Sequence, residues 1–292
     1  MNSSLNLFGF ASGIAANNTD CALGPWYLYY HPELFSALAI HVHWQAMIQT
    51  TSEARQREAL PLVQDNLEKL GQAILPFAKK SKPFCVIGGD HSSAIGTWSA
   101  VAHANRTKGD IGLIWIDAHM DSHTPDTSLS QNIHGMPVAH LLGEGIPSLC
   151  EMFDCYPKIK PENLCVIGVR SYEPAEAVIL SRLGVKIFFM DEIKQRGLQA
   201  VLKEACTLVS SATCGFGISL DMDAIDPTDA PGVGCPELNG IDGATLVSAL
   251  HSIKHTPSLL GLELTEFNPI RDQGGKTAQL LVNLIHAVYG NT

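Results

Sequence analysis

Ile111-Gly112-Leu113-Ile114-Trp115-Ile116-Asp117-Ala118-His119-Met120-Asp121 is the stretch from which the fold can be read. An apolar run broken only by a glycine gives way at once to a crowd of acid and imidazole. A continuous apolar run of this length is the pattern of a strand buried on both faces. Two other places repeat it. Phe84-Cys85-Val86-Ile87 leads into Gly88-Gly89-Asp90-His91-Ser92, and the run 216–220 leads into Asp221-Met222-Asp223-Ala224-Ile225-Asp226-Pro227. Further strands are expected at 164–169, Lys186–Phe189 and 259–264, with weaker signals at 6–10 and 39–45. Helical periodicity lies between them, at 51–79 with an interruption near Pro61, and at 92–104, 174–183, 198–210, 244–254 and 277–289. Alternation of this kind predicts βαβ units. The fold class is therefore α/β: a single domain over 1–292 with a central, mostly parallel, eight-stranded sheet and helices on both faces. A parallel sheet places its chemistry beyond the carboxyl ends of the strands, where the three polar clusters fall.

Composition narrows the function. Of 292 residues, 46% are hydrophobic and 16% charged, which suits a buried globular core. The formal net charge of −10 leaves no basic footprint for nucleic acid or an anionic membrane. No apolar run reaches the ~18 residues of a membrane span, and the first Lys or Arg is Arg55, so the positive start of a signal peptide is missing. A cytoplasmic protein is expected. Eight cysteines at 21, 85, 150, 155, 165, 206, 214 and 235 form no C-x-x-C pair and read as buried, reduced thiols rather than zinc ligands.

Asp117, His119 and Asp121 share the i, i+2, i+4 spacing that aims side chains to one side of an extended segment, and Asp221 and Asp223 share it too. His91 adds an imidazole from a third strand end. Any one of these fragments could be an ordinary solvated loop, and D-x-D arises by chance. Together, at one end of one sheet, they are hard to read that way. Four carboxylates in one place repel strongly and must either take up protons or be compensated by cations. Two divalent ions fit the charge, and an oxygen and nitrogen set without thiolate suits a harder ion such as manganese. Ions about 3.5–4 Å apart can share carboxylate bridges and a hydroxide.

Five motifs, GGDHS (Gly88–Ser92), DAHMD (Asp117–Asp121), NIHG (Asn132–Gly135), SLDMDAIDP (Ser219–Pro227) and ELTEFNP (Glu263–Pro269), resemble those of the ureohydrolase superfamily in their order, most closely arginase. The resemblance implies an arginase-like fold and a centre of two Mn2+ per chain, with Co2+ an acceptable substitute. One ion would take His91, Asp117, Asp121 and Asp221. The other would take His119, Asp117, Asp221 and Asp223, with Asp117 and Asp221 bridging. It also implies homo-oligomers, trimeric or hexameric. Within the superfamily the stretch Asp117–Gly135 looks most like arginase, where a Ser/Thr/Asn-rich run holds the substrate α-carboxylate; here that run is Thr127–Asn132, and Ser128, Ser130 and Asn132 match. Hydroxyl and amide donors suit a carboxylate. Two positions depart from the arginase pattern: His123 stands in place of Asn, and Glu173 in place of the Asp near the substrate α-amino group.

The reaction this implies is hydrolysis of L-arginine to L-ornithine and urea, by a hydroxide between two metals attacking the guanidinium carbon. Asp121 would orient that hydroxide. His134 would carry a proton to the leaving nitrogen, and Glu266 would hold the planar guanidinium through charge-assisted hydrogen bonds. Other readings keep a small guanidino or formimino substrate: agmatinase, which needs no carboxylate-binding run, guanidinobutyrase and formimidoylglutamase. Metal-dependent deacetylases resemble the same sheet but use one zinc. A non-catalytic homologue would be expected to have lost ligands, and all six are retained.

Overall fold

The computed structural model describes residues 4–38, 40–155, 157–254 and 256–290. Eight strands, β1 (Ser4–Ala11), β2 (His41–Gln49), β3 (Phe84–Gly88), β4 (Ile111–Ile116), β5 (Ile159–Val169), β6 (Lys186–Phe189), β7 (Phe216–Asp221) and β8 (Leu259–Thr265), form one sheet. Its order is β2-β1-β3-β8-β7-β4-β5-β6, and every pairing is parallel. The chain lays down β1 to β3, leaves a gap, builds outward from β4 to β6, and returns to fill the gap with β7 and β8. The strands that precede the three polar clusters, β3, β4 and β7, are thereby gathered with β8 at the centre. That reversal of winding is the place where a parallel sheet opens a crevice.

Alternation explains why both faces are covered. Ile114 and Ile116 point into one core with Ile218, Leu220, Leu262 and Leu264. Leu113 and Trp115 point into the other with Phe84 and Val86. Helices α1 (Leu23–Tyr30), α7 (Met190–Arg196), α8 (Leu198–Ser210), α9 (Gly243–His251) and α10 (Lys276–Tyr289) cover the first face. Helices α2 (Leu60–Lys79), α3 (Ser93–Asn105), α4 (Pro137–Leu141), α5 (Pro147–Cys150) and α6 (Pro174–Leu183) cover the second. One contact is unusually tight. A Cβ on Gly217 of β7 would lie 1.9 Å from Trp98 Cζ3, so only glycine lets the α3 indole lie against the sheet.

Four expectations need correction. Pro61 does not interrupt a helix over 51–79. A 3-10 turn (Gln56–Ala59) leads into α2, and Pro61 sits in its first turn, where a missing N–H costs nothing. Helices α1, α4, α5 and α7 were not expected. They are short, and α1 carries apolar and aromatic residues around its circumference instead of along a stripe. In addition, β2 runs past the expected 39–45 to Gln49, and Ala39 lies outside the described residues. Of the cysteines, Cys21, Cys85 and Cys165 are buried, but Cys155 and Cys235 are exposed. Among the described residues no helix is long and apolar enough to cross a membrane.

Candidate metal centre and active site

The three polar clusters converge, though not by the extended spacing expected of them. Asp121 has φ +48, so the segment after β4 bends, and Asp223 sits in a 3-10 turn (Met222–Ala224) directly after β7. Sharp turns, each capped by its own acid, bring the side chains together. Asp117 Oδ1 accepts from the His119 amide at 2.7 Å, and Asp221 Oδ1 from the Asp223 amide at 2.8 Å.

His91 is fully buried and stacks on Trp115, with ring centroids 4.0 Å apart. Its Nε2 meets Ser219 Oγ at 3.0 Å, and Ser219 Oγ donates to Glu263 Oε2 at 2.9 Å. Glu263 is itself held by Ser93, Thr97 and Trp98 at 2.8–2.9 Å. With the Ser219 hydroxyl hydrogen committed to Glu263, its oxygen accepts from Nε2–H, which leaves Nδ1 as the lone-pair nitrogen. That Nδ1 has no hydrogen-bond partner although buried. It faces Asp117 Oδ2 at 3.3 Å, Asp121 Oδ2 at 3.2 Å and Asp221 Oδ2 at 3.1 Å. A bare imidazole nitrogen and three carboxylate oxygens directed at one point are a donor set for a divalent cation.

A second group adjoins it. His119 Nδ1 lies 3.3 Å from Asp117 Oδ1 and 3.2 Å from Asp223 Oδ2. Within each of the sets His91–Asp117–Asp221 and Asp117–His119–Asp223, one ligand atom per residue lies within 4.8 Å of the others, and Asp117 belongs to both. Electrostatics shows the strain of holding these acids together. Burial, then the charge of Asp117, raises Asp121 to about 7. Burial, then Asp223 and Asp117, lifts Asp221 well above the carboxylate range. Burial also disfavours ionised Asp117, but the facing imidazoles of His119 and His91 outweigh it and hold that carboxyl far below the usual range. The cluster calls for positive charge, and its donors suit a pair of divalent ions.

Beside it stands a second polar pair. Glu266 follows β8 with φ +64, a left-handed conformation that costs a non-glycine residue about 1 kcal/mol or more. Its Oε1 accepts from the His91 amide at 2.9 Å and meets His134 Nδ1 at 3.0 Å. Burial opposes charge on His134, but the hydrogen bond and charge of Glu266 prevail and raise it to about 9.

Most of these groups line a cavity of about 270 Å³, with His91 and Asp117 behind its wall. His119, Asp121, His134, Asp221, Asp223 and Glu266 belong to its wall. His123, Gly135, Ser171, Tyr172, Glu173, Glu176 and Cys235 complete the lining. His123 Nε2 lies 3.4 Å from Glu173 Oε2 and 3.5 Å from Glu176 Oε2. Glu173 and Glu176 also form the capping box of α6, so the acids at this end are fixed by a helix start. Ser128, Ser130 and Asn132 do not reach the lining. Ser128 Oγ accepts from the Gln131 amide and lies 3.5 Å from Ser130 Oγ, while Asn132 Oδ1 is buried without a hydrogen-bond partner. A larger cavity, about 460 Å³, opens at the other end of the sheet beside Leu5, Lys82 and Tyr289, but it contains no such cluster. Sequence reasoning missed Ser171, Tyr172, Glu176 and Cys235. Only Glu176 had a signal, its capping-box spacing from Glu173.

The model of the Arginase family matches residues 4–290. The arginase of Bacillus caldovelox is 39% identical over 239 residues, covering 82% of this chain and 78% of its own. That of Brevibacillus brevis is 34% identical over 298 residues, covering 100% and 99%. The crystal structure of Bacillus subtilis arginase superposes with a TM-score of 0.91 at 34% identity, over 100% of this chain and 99% of that one. A likeness that runs through every strand of the sheet, at such identities, makes this chain a member of the arginase family.

Proposed function

We propose that this protein, acting as one cytoplasmic domain that assembles into homo-oligomers, hydrolyses L-arginine to L-ornithine and urea with two Mn2+ per chain. The observation that carries the reading is the pair of overlapping ligand sets sharing Asp117, with His119, Asp221 and Asp223 of those sets in the wall of one cavity. His91, Asp117, Asp121 and Asp221 would hold one ion, and His119, Asp117, Asp221 and Asp223 the other. Such a pair, when bound, neutralises the carboxylates and supplies a water acidic enough to attack the guanidinium carbon near neutral pH.

The remaining work belongs to the chain. Glu266 uses Oε1 for His134 and the His91 amide, which leaves its second oxygen to take the guanidinium. His134, kept protonated at neutral pH by Glu266, delivers a proton to the departing nitrogen. Asp121, at the edge of the cavity beside the cluster, orients the attacking water. His123 and Glu173 grip the amino-acid end with Glu176 behind them, while Ser128, Ser130 and Asn132, which stand outside the cavity lining, would take the α-carboxylate only of a substrate that extends beyond it.

The test is urea release from arginine, agmatine, guanidinobutyrate and formimidoylglutamate, with Mn2+ or Co2+ added. Arginine should be preferred by at least tenfold in kcat/KM, and Glu266→Gln should lower that value by about 100-fold or more, as losing a charge-assisted bond in a closed site does. Preference for agmatine, or an unaffected E266Q enzyme, would overturn the assignment.

A further inference from the structure

We propose that Glu237 is a positioning residue for His119: its carboxylate takes the outward Nε2–H of that imidazole and holds Nδ1 toward Asp117 and Asp223. The inference rests on reading Asp117, His119 and Asp223 as a cation site. It begins from an asymmetry between the two imidazoles. The outward nitrogen of His91 has a buried partner in Ser219, which Glu263 backs. His119 is a quarter exposed, and the one carboxylate within ion-pair distance of its Nε2 among the described residues is Glu237, with Oε1 at 3.8 Å. An imidazole that ligates through one nitrogen needs an acceptor at the other to fix its tautomer and ring angle.

Three features bring Glu237 to that place. Ser171 Oγ donates to Glu237 Oε1 at 3.1 Å, which anchors the carboxylate from the cavity wall. The Arg170 guanidinium donates to the carbonyls of Glu237 at 2.8 Å and Leu238 at 3.1 Å. The same group donates to the carbonyls of Asp223 at 2.7 Å and Ala224 at 3.1 Å. One planar cation therefore ties the loop bearing Glu237 to the turn bearing Asp223, so that two of the three carboxylates facing His119 are set by a common fastening. Gly240 makes room for it, since a Cβ there would lie 2.7 Å from an Arg170 terminal nitrogen. The remaining 3.8 Å is beyond direct hydrogen-bonding range. A bridging water or a small rotation of the half-exposed glutamate closes it.

The experiment is calorimetric titration of metal-stripped protein with Mn2+, using wild type, Glu237→Ala, Glu237→Gln and Ser171→Ala. Wild type should take up two ions. E237A should bind one as wild type does and the other about 10–100-fold more weakly, the usual effect of removing an outer partner of a ligating histidine. E237Q, whose side-chain carbonyl still accepts a hydrogen bond, should recover most of that loss, and S171A should show a few-fold loss at the same ion. With saturating Mn2+, kcat of E237A should return toward wild type while KM for arginine stays within about twofold. Two ions bound by wild type and an E237A titration that overlays it would overturn this inference alone. A single ion bound by wild type would overturn the two-ion reading and this inference with it.

Discussion

Single side chains in this protein show how differently buried imidazoles can be used. His91 and His134 face carboxylates, while His140 in α4 faces none. His140 Nδ1 meets the Met136 carbonyl at 2.7 Å, and its Nε2 is buried without a partner. Burial outweighs the Met136 contact and depresses it from 6.5 to about 4. Between these values the unfolded chain binds a proton that the folded chain does not. Stability from this group is therefore complete above pH about 6.5 and is lost as pH falls toward about 4. We expect His140→Leu to flatten the acid limb by up to one proton, about 1.4 kcal/mol per pH unit. Urea unfolding of both proteins between pH 4 and 7 measures it, and parallel limbs would refute it. The metal-ligand candidates were legible in the sequence because acid and imidazole directly after an apolar strand have few structural uses. Glu237 and Ser171 were not, because a polar residue in a loop looks the same whether it faces water or an imidazole.

At the scale of elements, the site depends on how α3 lies against the sheet. Trp98 of α3 rests over Gly217 of β7 and donates to Glu263 of β8, which holds Ser219 and through it His91. Gly217→Ala would place a methyl carbon inside the indole. We expect a loss of about 1–3 kcal/mol from overpacking, together with a weaker hold on Mn2+, because the displaced indole loosens the chain leading to His91. Chemical denaturation and metal titration of the one variant read both effects, and a stable variant with ordinary metal uptake would show that α3 can shift without disturbing β7. The strands were legible because two-sided burial demands uninterrupted apolar runs. Short helices such as α4 and α7 were not, since one or two turns carry too few residues to display a period.

For the whole molecule, the four carboxylates at the sheet centre make the fold depend on what neutralises them. Stripping metal with a chelator should lower Tm, and Mn2+ should restore it. Ligand at a hundredfold excess over Kd contributes about 2.7 kcal/mol per site. Differential scanning calorimetry tests this, and a Tm indifferent to Mn2+ would count against any cation at the cluster. By itself the sequence determined the parallel α/β sheet, the end of it that carries chemistry, and the identities of the acids and imidazoles there. Those are local properties, written in the order of apolar and polar residues along the chain. Only the tertiary structure decided that β7 and β8 return between β3 and β4, that bends rather than extended spacing aim Asp121 and Asp223, and that Arg170 and Ser171 hold the loop and carboxylate of Glu237 near His119. Those depend on contacts between residues far apart in the chain, and a linear pattern holds no record of which distant loops will share one end of a sheet.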